Sequence, residues 1–327
     1  MVFTLLAYVP FLTIALVAQW IHRYRWVRWI AFGMILLFAG LILAAGGSTL
    51  LVAISPEMEE AIRAESPEIG GANWGLFSAI LIVTALLGPL FLLRQARRLL
   101  ARWLPIDAES AIDATAIALA VLVAGLNLSQ VPLIGGLEEL ASGTVQLTLP
   151  ELLISNLPIG LFALVGVGLF IRRDAEETWE RLGVRNLTWG QLGLTVLLAV
   201  LILGAYYAID AVWYAVAPEN YEMMEAIGDT LFGSATSLWA SLAVSLVAGV
   251  TEELFFRGAI QPRFGLVLTA IFFTAVHVQY GFTLATLEVF IAGLALGMVR
   301  RRANTSACIL LHVLYDVGAL FVFPLLP

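Results

Sequence analysis

The chain is 327 residues long, 61% hydrophobic and 13% charged, with a formal net charge of −7 and a mean hydropathy of +0.95. That composition excludes an ordinary soluble domain, and the continuous, non-alternating apolar runs exclude a membrane β-barrel. The single cysteine, Cys308, excludes an intrachain disulfide and reads as a small helix-packing residue.

A bilayer core takes about 20 apolar residues per helix. The chain supplies roughly ten such runs: 2–20, 29–54, 74–93, 111–134, 151–171, 190–216, 238–261, 264–280, 284–299 and 304–323. The first lacks a basic leader and a small-residue cleavage site, so it reads as an uncleaved span. The expected fold is all-α, a polytopic transmembrane helical bundle with a C-terminal four-span core. Residues 1–235 form the N-terminal transmembrane region and 236–327 the core, because the polar clusters described below lie only in the latter. Between the fifth and sixth runs, Arg172–Arg185 predicts an amphipathic helix at the membrane interface, part of an interfacial segment 172–189, with Trp179 as anchor.

Arginine supplies the orientation, since lysine is absent. Fifteen of 17 arginines follow the odd-numbered runs, as in Arg94, Arg97, Arg98 and Arg102, or Arg300, Arg301 and Arg302. The opposite loops are acidic: Glu57, Glu59, Glu60, Glu65 and Glu68, then Glu138 and Glu139, then Glu219, Glu222, Glu225 and Asp229. Positive loops stay cytoplasmic, which expects both termini outside and an integral protein of a prokaryotic plasma membrane.

Three polar clusters interrupt the apolar C-terminal quarter: Glu252-Glu253-x-x-x-Arg257, His277, and His312-x-x-x-Asp316. An ionisable group at membrane depth is costly and marks a functional site by default. Counting ~1.5 Å per helical residue, Glu252 lies roughly 15 Å from the cytoplasmic end of its span, His277 roughly 20 Å, His312 about 12 Å and Asp316 about 18 Å. A shared cavity in the inner half of the bilayer is therefore allowed. Glu253 and Arg257, four apart, pair on one helix face. Glu252, rotated about 100°, faces elsewhere and suits a general base. His277 at matching depth is a partner for an attacking water. His312 and Asp316 share a face and leave two roles open. They complete a Glu252, His277, His312 zinc site, or they serve an oxyanion, with Asp316 then holding the His312 tautomer. Asp113, Asn127, Ser129, Gln130 and Asp210 read as inter-helix hydrogen-bonding residues or a substrate path, and Glu288 as support for the site or a water-facing residue.

These residues resemble the CPBP family (CAAX protease and bacteriocin-processing, or Abi) of intramembrane endopeptidases. The motifs are Glu252-Glu253-Leu-Phe-Phe-Arg257, Phe273-Thr-Ala-Val-His277 and His312-Val-Leu-Tyr-Asp316, within about residues 236–323. Asp316 departs from the more common asparagine. The resemblance implies hydrolysis of a peptide bond in a membrane-embedded or lipid-anchored protein or peptide, within the bilayer and with no nucleic-acid partner. By the same resemblance Glu252 and His277 activate the water, His312 and Asp316 stabilise the intermediate, and Glu253 and Arg257 support them. Both glutamate-type and metallo-type chemistry fit the resemblance. The rival reading is a non-proteolytic transporter or scaffold that uses the carboxylates for ions or protons.

Overall fold

The computed structural model describes residues 2–66, 71–133, 141, 147–281 and 283–322; Glu68, Glu138 and Glu139 of the acidic loops lie outside them. Every regular element among the described residues is helical, an all-α polytopic bundle. In chain order these are α1 Val2–Gln19, α2 Val27–Ile54, α3 Pro56–Glu65, α4 Trp74–Leu90, α5 Arg94–Leu100 and α6 Ala111–Leu133. Then come α7 Leu149–Ser155, α8 Leu157–Val167, α9 Ala175–Leu182, α10 Trp189–Val216, α11 Pro218–Phe232 and α12 Leu238–Glu253. A π-helical segment, Leu254–Ile260, follows α12 without a break. The last are α13 Gln261–Phe264, α14 Leu266–Ala275, α15 Leu284–Arg302 and α16 Thr305–Val317, ending in a π turn, Gly318–Val322.

Six helices among the described residues are long and apolar enough to cross a membrane, seven if α4 and α5, bent by 94°, form one span. Ten were expected. The expected span 264–280 is the clearest difference: α14 has only 10 residues, about 15 Å, half of a ~30 Å hydrocarbon core. Gly265, at φ +78°, breaks the chain ahead of it, and a 3-10 turn, Val278–Tyr280, follows. The expected span 284–299 forms the 19-residue helix α15, but its Glu288, Arg300, Arg301 and Arg302 keep it out of the six.

The chain forms two compact units. One comprises Thr13–Leu140 with Thr274–Thr283; the other comprises Met1–Leu12, Ala141–Phe273 and Leu284–Pro327. In the first, α2, α4 and α6 pack through glycines. Ser78 donates to the Gly46 carbonyl at 2.6 Å, and a Cβ on Gly46 would come within 2.9 Å of Ile82 Cγ1. Small contact residues let membrane helices approach closely where water exclusion offers no drive. The α4–α5 bend is tied by buried Arg97, which donates to the carbonyls of Ala108 at 2.8 Å, Phe91 at 2.7 Å and Leu92 at 2.9 Å.

The polar residues of α6 are used inside this unit. Asp113 accepts from the Asp107 amide at 2.8 Å, closing the loop before the helix. Asn127 donates to Val123 O, and Ser129 and Gln130 both donate to Leu126 O, within their own helix.

In the second unit α12 and α16 are the central pair. Ser241, Ser245, Gly249 and Glu253 recur every fourth residue on the buried side of α12. At Gly249 a Cβ would lie 2.9 Å from Val313 Cγ2 and 3.5 Å from His312 Cβ. Glycine is required here for close approach, and the approach is what brings the two polar clusters together. The predicted amphipathic helix is present as α9, shorter than Arg172–Arg185. Asp174 and Glu177 form a capping box at its start, and Gly183, at φ +73°, ends it. Leu182 is fully buried, while Trp179 is exposed.

Candidate active site

The site is built where α12 gives way to the π segment. A π-helix is rare and concentrates at functional sites; this one begins directly after Glu253. Glu253 and Arg257 have no exposed side-chain surface, and Arg257 Nε lies 3.2 Å from Glu253 Oε2. The guanidinium also donates to Gly293 O at 3.2 Å and sits 4.5 Å over the Phe273 ring. A buried cation survives only with such partners.

Glu253 does more than neutralise Arg257. Its Oε1 lies 2.8 Å from His312 Nδ1, so one carboxylate bridges an arginine on its own helix and a histidine on α16. On the other side of the ring, His312 Nε2 faces Asp316 Oδ2 at 3.5 Å. The ring is clamped by Tyr315, stacked at 5.0 Å and 14°, and by Phe273, edge-on at 6.3 Å. The result is one linear chain of charge and hydrogen bonding: Arg257, Glu253, His312, Asp316. Its exposure rises along that order, with the Asp316 side chain 22% exposed against 5% for His312. The chain therefore opens at Asp316.

The expected division between the two glutamates is half retained. Glu253 is paired with Arg257, as the four-residue spacing predicted. The link from Glu253 to His312 was not anticipated; its signal in the sequence was the Ser241, Ser245, Gly249, Glu253 spacing, which marks the face of α12 that meets α16. Glu252 lies beside Glu253 at the end of α12 and retains 9% exposure. His277 belongs to the other compact unit, where its ring stacks on Tyr280 at 6.5 Å and 4°. Tyr315, the stacking partner of His312, is a candidate site residue that sequence reasoning missed.

Asp316 was expected to hold the His312 tautomer. Glu253 engages Nδ1 at 2.8 Å and Asp316 faces Nε2 at 3.5 Å, so a carboxylate stands at each ring nitrogen. If Glu253 accepts from Nδ1–H, the proton that can move or be shared lies between Nε2 and Asp316. Among the described residues no group of three His, Cys, Asp or Glu side chains is arranged to hold a metal ion. Of the residues in the zinc alternative, Glu252 and His312 lie in one compact unit and His277 in the other.

Asp210 and Glu288 lie near each other in the unit that holds the Arg257–Asp316 chain, but are not members of it. The Glu288 carbonyl accepts from the Tyr206 hydroxyl at 3.3 Å.

Residues 234–318 match the family model described as Type II CAAX prenyl endopeptidase Rce1-like. That segment contains all three motifs, so the CPBP resemblance stands over this part of the chain. No curated protein and no solved structure matches the chain.

Proposed function

From the CAAX-endopeptidase match over residues 234–318, we propose that the protein is an intramembrane endopeptidase that cleaves a peptide bond in a membrane-embedded or lipid-anchored protein. The single observation that carries this reading is the buried Arg257–Glu253–His312–Asp316 chain with Glu252 beside it. A membrane protein does not bury so many ionisable groups for packing alone, and their order suits proton management around a carbonyl.

In this reading Glu252 is the general base that takes a proton from the attacking water. His277 is assigned to the same step on its Phe-x-x-x-His motif alone. His312 and Asp316 present the donor that meets the developing oxyanion. Arg257 and Glu253 touch no substrate; they fix the His312 ring and hold its Nδ1 proton. The prenylated C-terminus that the matched family's description names is the first substrate class to try. On this reading the positive-inside count of the arginine-rich loops favours substrate entry from the cytoplasmic half of the bilayer.

The test is a membrane-anchored reporter with a cleavable C-terminal peptide, incubated with purified wild type and Glu252→Gln. Loss of a positioned general base costs about 10²–10⁴-fold in rate, so Glu252→Gln should lose at least about 100-fold while unfolding at the wild-type temperature. Full activity in that variant would refute the reading. A scaffold would tolerate His277→Asn with His312→Asn, which an endopeptidase would not.

A further inference from the structure

Arg181 of α9 and Arg300 of α15 meet at the π segment, and Arg173 lies just ahead of α9. Arg181 lies between α9 and the π segment and donates to Gly258 O at 2.9 Å. Arg300, at the end of α15, donates to Arg257 O at 3.1 Å, and its guanidinium covers Gly183, where any Cβ would collide with it. Arg173 donates to Val167 O. Among the described residues none of these three guanidiniums forms an ion pair with an acidic side chain. Burial first, then the charges of Arg173, Arg263, Arg300 and Arg172, lower the proton affinity of Arg181, so the cluster is close enough to repel itself. Like charges held together by backbone carbonyls call for an anion.

The same segment shows what kind of anion. Phe170 is 82% exposed and adopts φ +59°, a strained conformation for a bulky residue. Trp189 is 89% and Trp179 45% exposed. Exposed aromatic rings at the ends of membrane helices sit at the headgroup level. They put the guanidiniums beside phosphate in the plane of the membrane surface, where basic side chains attract anionic lipid.

We propose that Arg173, Arg181 and Arg300 form a binding site for the phosphate headgroup of an anionic phospholipid, held at the membrane surface by Phe170, Trp179 and Trp189. The site joins directly to the π segment, because Arg181 and Arg300 grip the carbonyls of Gly258 and Arg257.

The experiment measures binding and needs no peptidase assay, so its failure is distinct from failure of the proposed function. The purified full chain in neutral detergent is titrated with phosphatidylglycerol, with phosphatidylcholine or with inorganic phosphate, and retained lipid is counted by native mass spectrometry. Each basic side chain at a membrane surface contributes about fivefold in affinity. Wild type should retain phosphatidylglycerol over phosphatidylcholine, and Arg173→Gln with Arg181→Gln should bind it more than about tenfold more weakly. If the double variant does not fold, Arg173→Gln alone should lose roughly fivefold while Arg173→Lys keeps most of the affinity. Equal retention by wild type and the variants would overturn the proposal. So would displacement of the lipid by millimolar inorganic phosphate, which would make this a soluble-anion site.

Discussion

At the residue scale, Glu253 and Glu252 are adjacent in sequence and opposite in consequence. Removing the charge of Glu253 leaves Arg257 buried with one carbonyl and an aromatic face. Breaking a buried pair in this way costs about 3–5 kcal/mol. Glu253→Gln should therefore lose both thermal stability in detergent and activity, whereas Glu252→Gln should lose activity alone. Unchanged unfolding of Glu253→Gln would mean that Arg257 is held by something other than this carboxylate. Gly249 gives a second check. In Gly249→Ala the new methyl presses on Val313 and sits against His312 Cβ; overpacking of that kind costs about 1–3 kcal/mol. The expected outcome is a lower unfolding temperature together with reduced turnover at unchanged substrate KM, because His312 moves. The Glu253–Arg257 pair was legible from the sequence because four residues make one helical turn. The Glu253–His312 bond was not, because it joins residues 59 apart and depends on how closely two helices approach. That closeness is set by a glycine, which carries no chemistry of its own and so drew no attention.

At the element scale, composition located most helices and could not describe their interruptions. The long spans α2, α6, α10 and the α12–π–α13 run stand near their expected places, since a membrane helix is written plainly as an apolar run. Residues 264–280 read as one more run; hydropathy does not register the backbone break at Gly265 that leaves α14 with 10 residues. The π segment was equally hidden, because an extra residue in a helical turn has no side-chain signature. Its consequence can be tested through α9, which packs against it. Thr305 Oγ1 donates to Leu182 O at 2.6 Å, and the Thr305 amide donates to Gly183 O at 3.0 Å. Thr305→Val keeps the shape and removes the first bond, leaving a buried carbonyl without its donor, at about 1–3 kcal/mol. Hydrogen exchange should accelerate in residues 178–184 and stay unchanged in α2, α4 and α6. Uniform acceleration would show that α9 has no separate stability.

At the scale of the whole molecule, the arginine alternation and the structure of one unit bear on orientation independently. The sequence assigns the loops after the fifth, seventh and ninth apolar runs to one side of the membrane. Within the unit that holds the Arg257–Asp316 chain, Arg172, Arg173, Arg263 and Arg300, drawn from those three loops, all act on Arg181. Three loops remote in sequence thus gather at one end of the unit. The tryptophans Trp179 and Trp189 at that end add an interfacial marker. The orientation can be read with single cysteines on a Cys308→Ala background, since Cys308 is the only cysteine and is fully buried. Cysteines replacing Arg185 and Arg301 should be shielded from a membrane-impermeant thiol reagent in intact cells and labelled once the membrane is opened. Cysteines replacing Glu57 and Glu219, from the acidic loops, should be labelled in intact cells. Labelling of the Arg185 and Arg301 positions from outside would invert the protein and put cytoplasmic prenylated chains beyond the reach of the proposed activity.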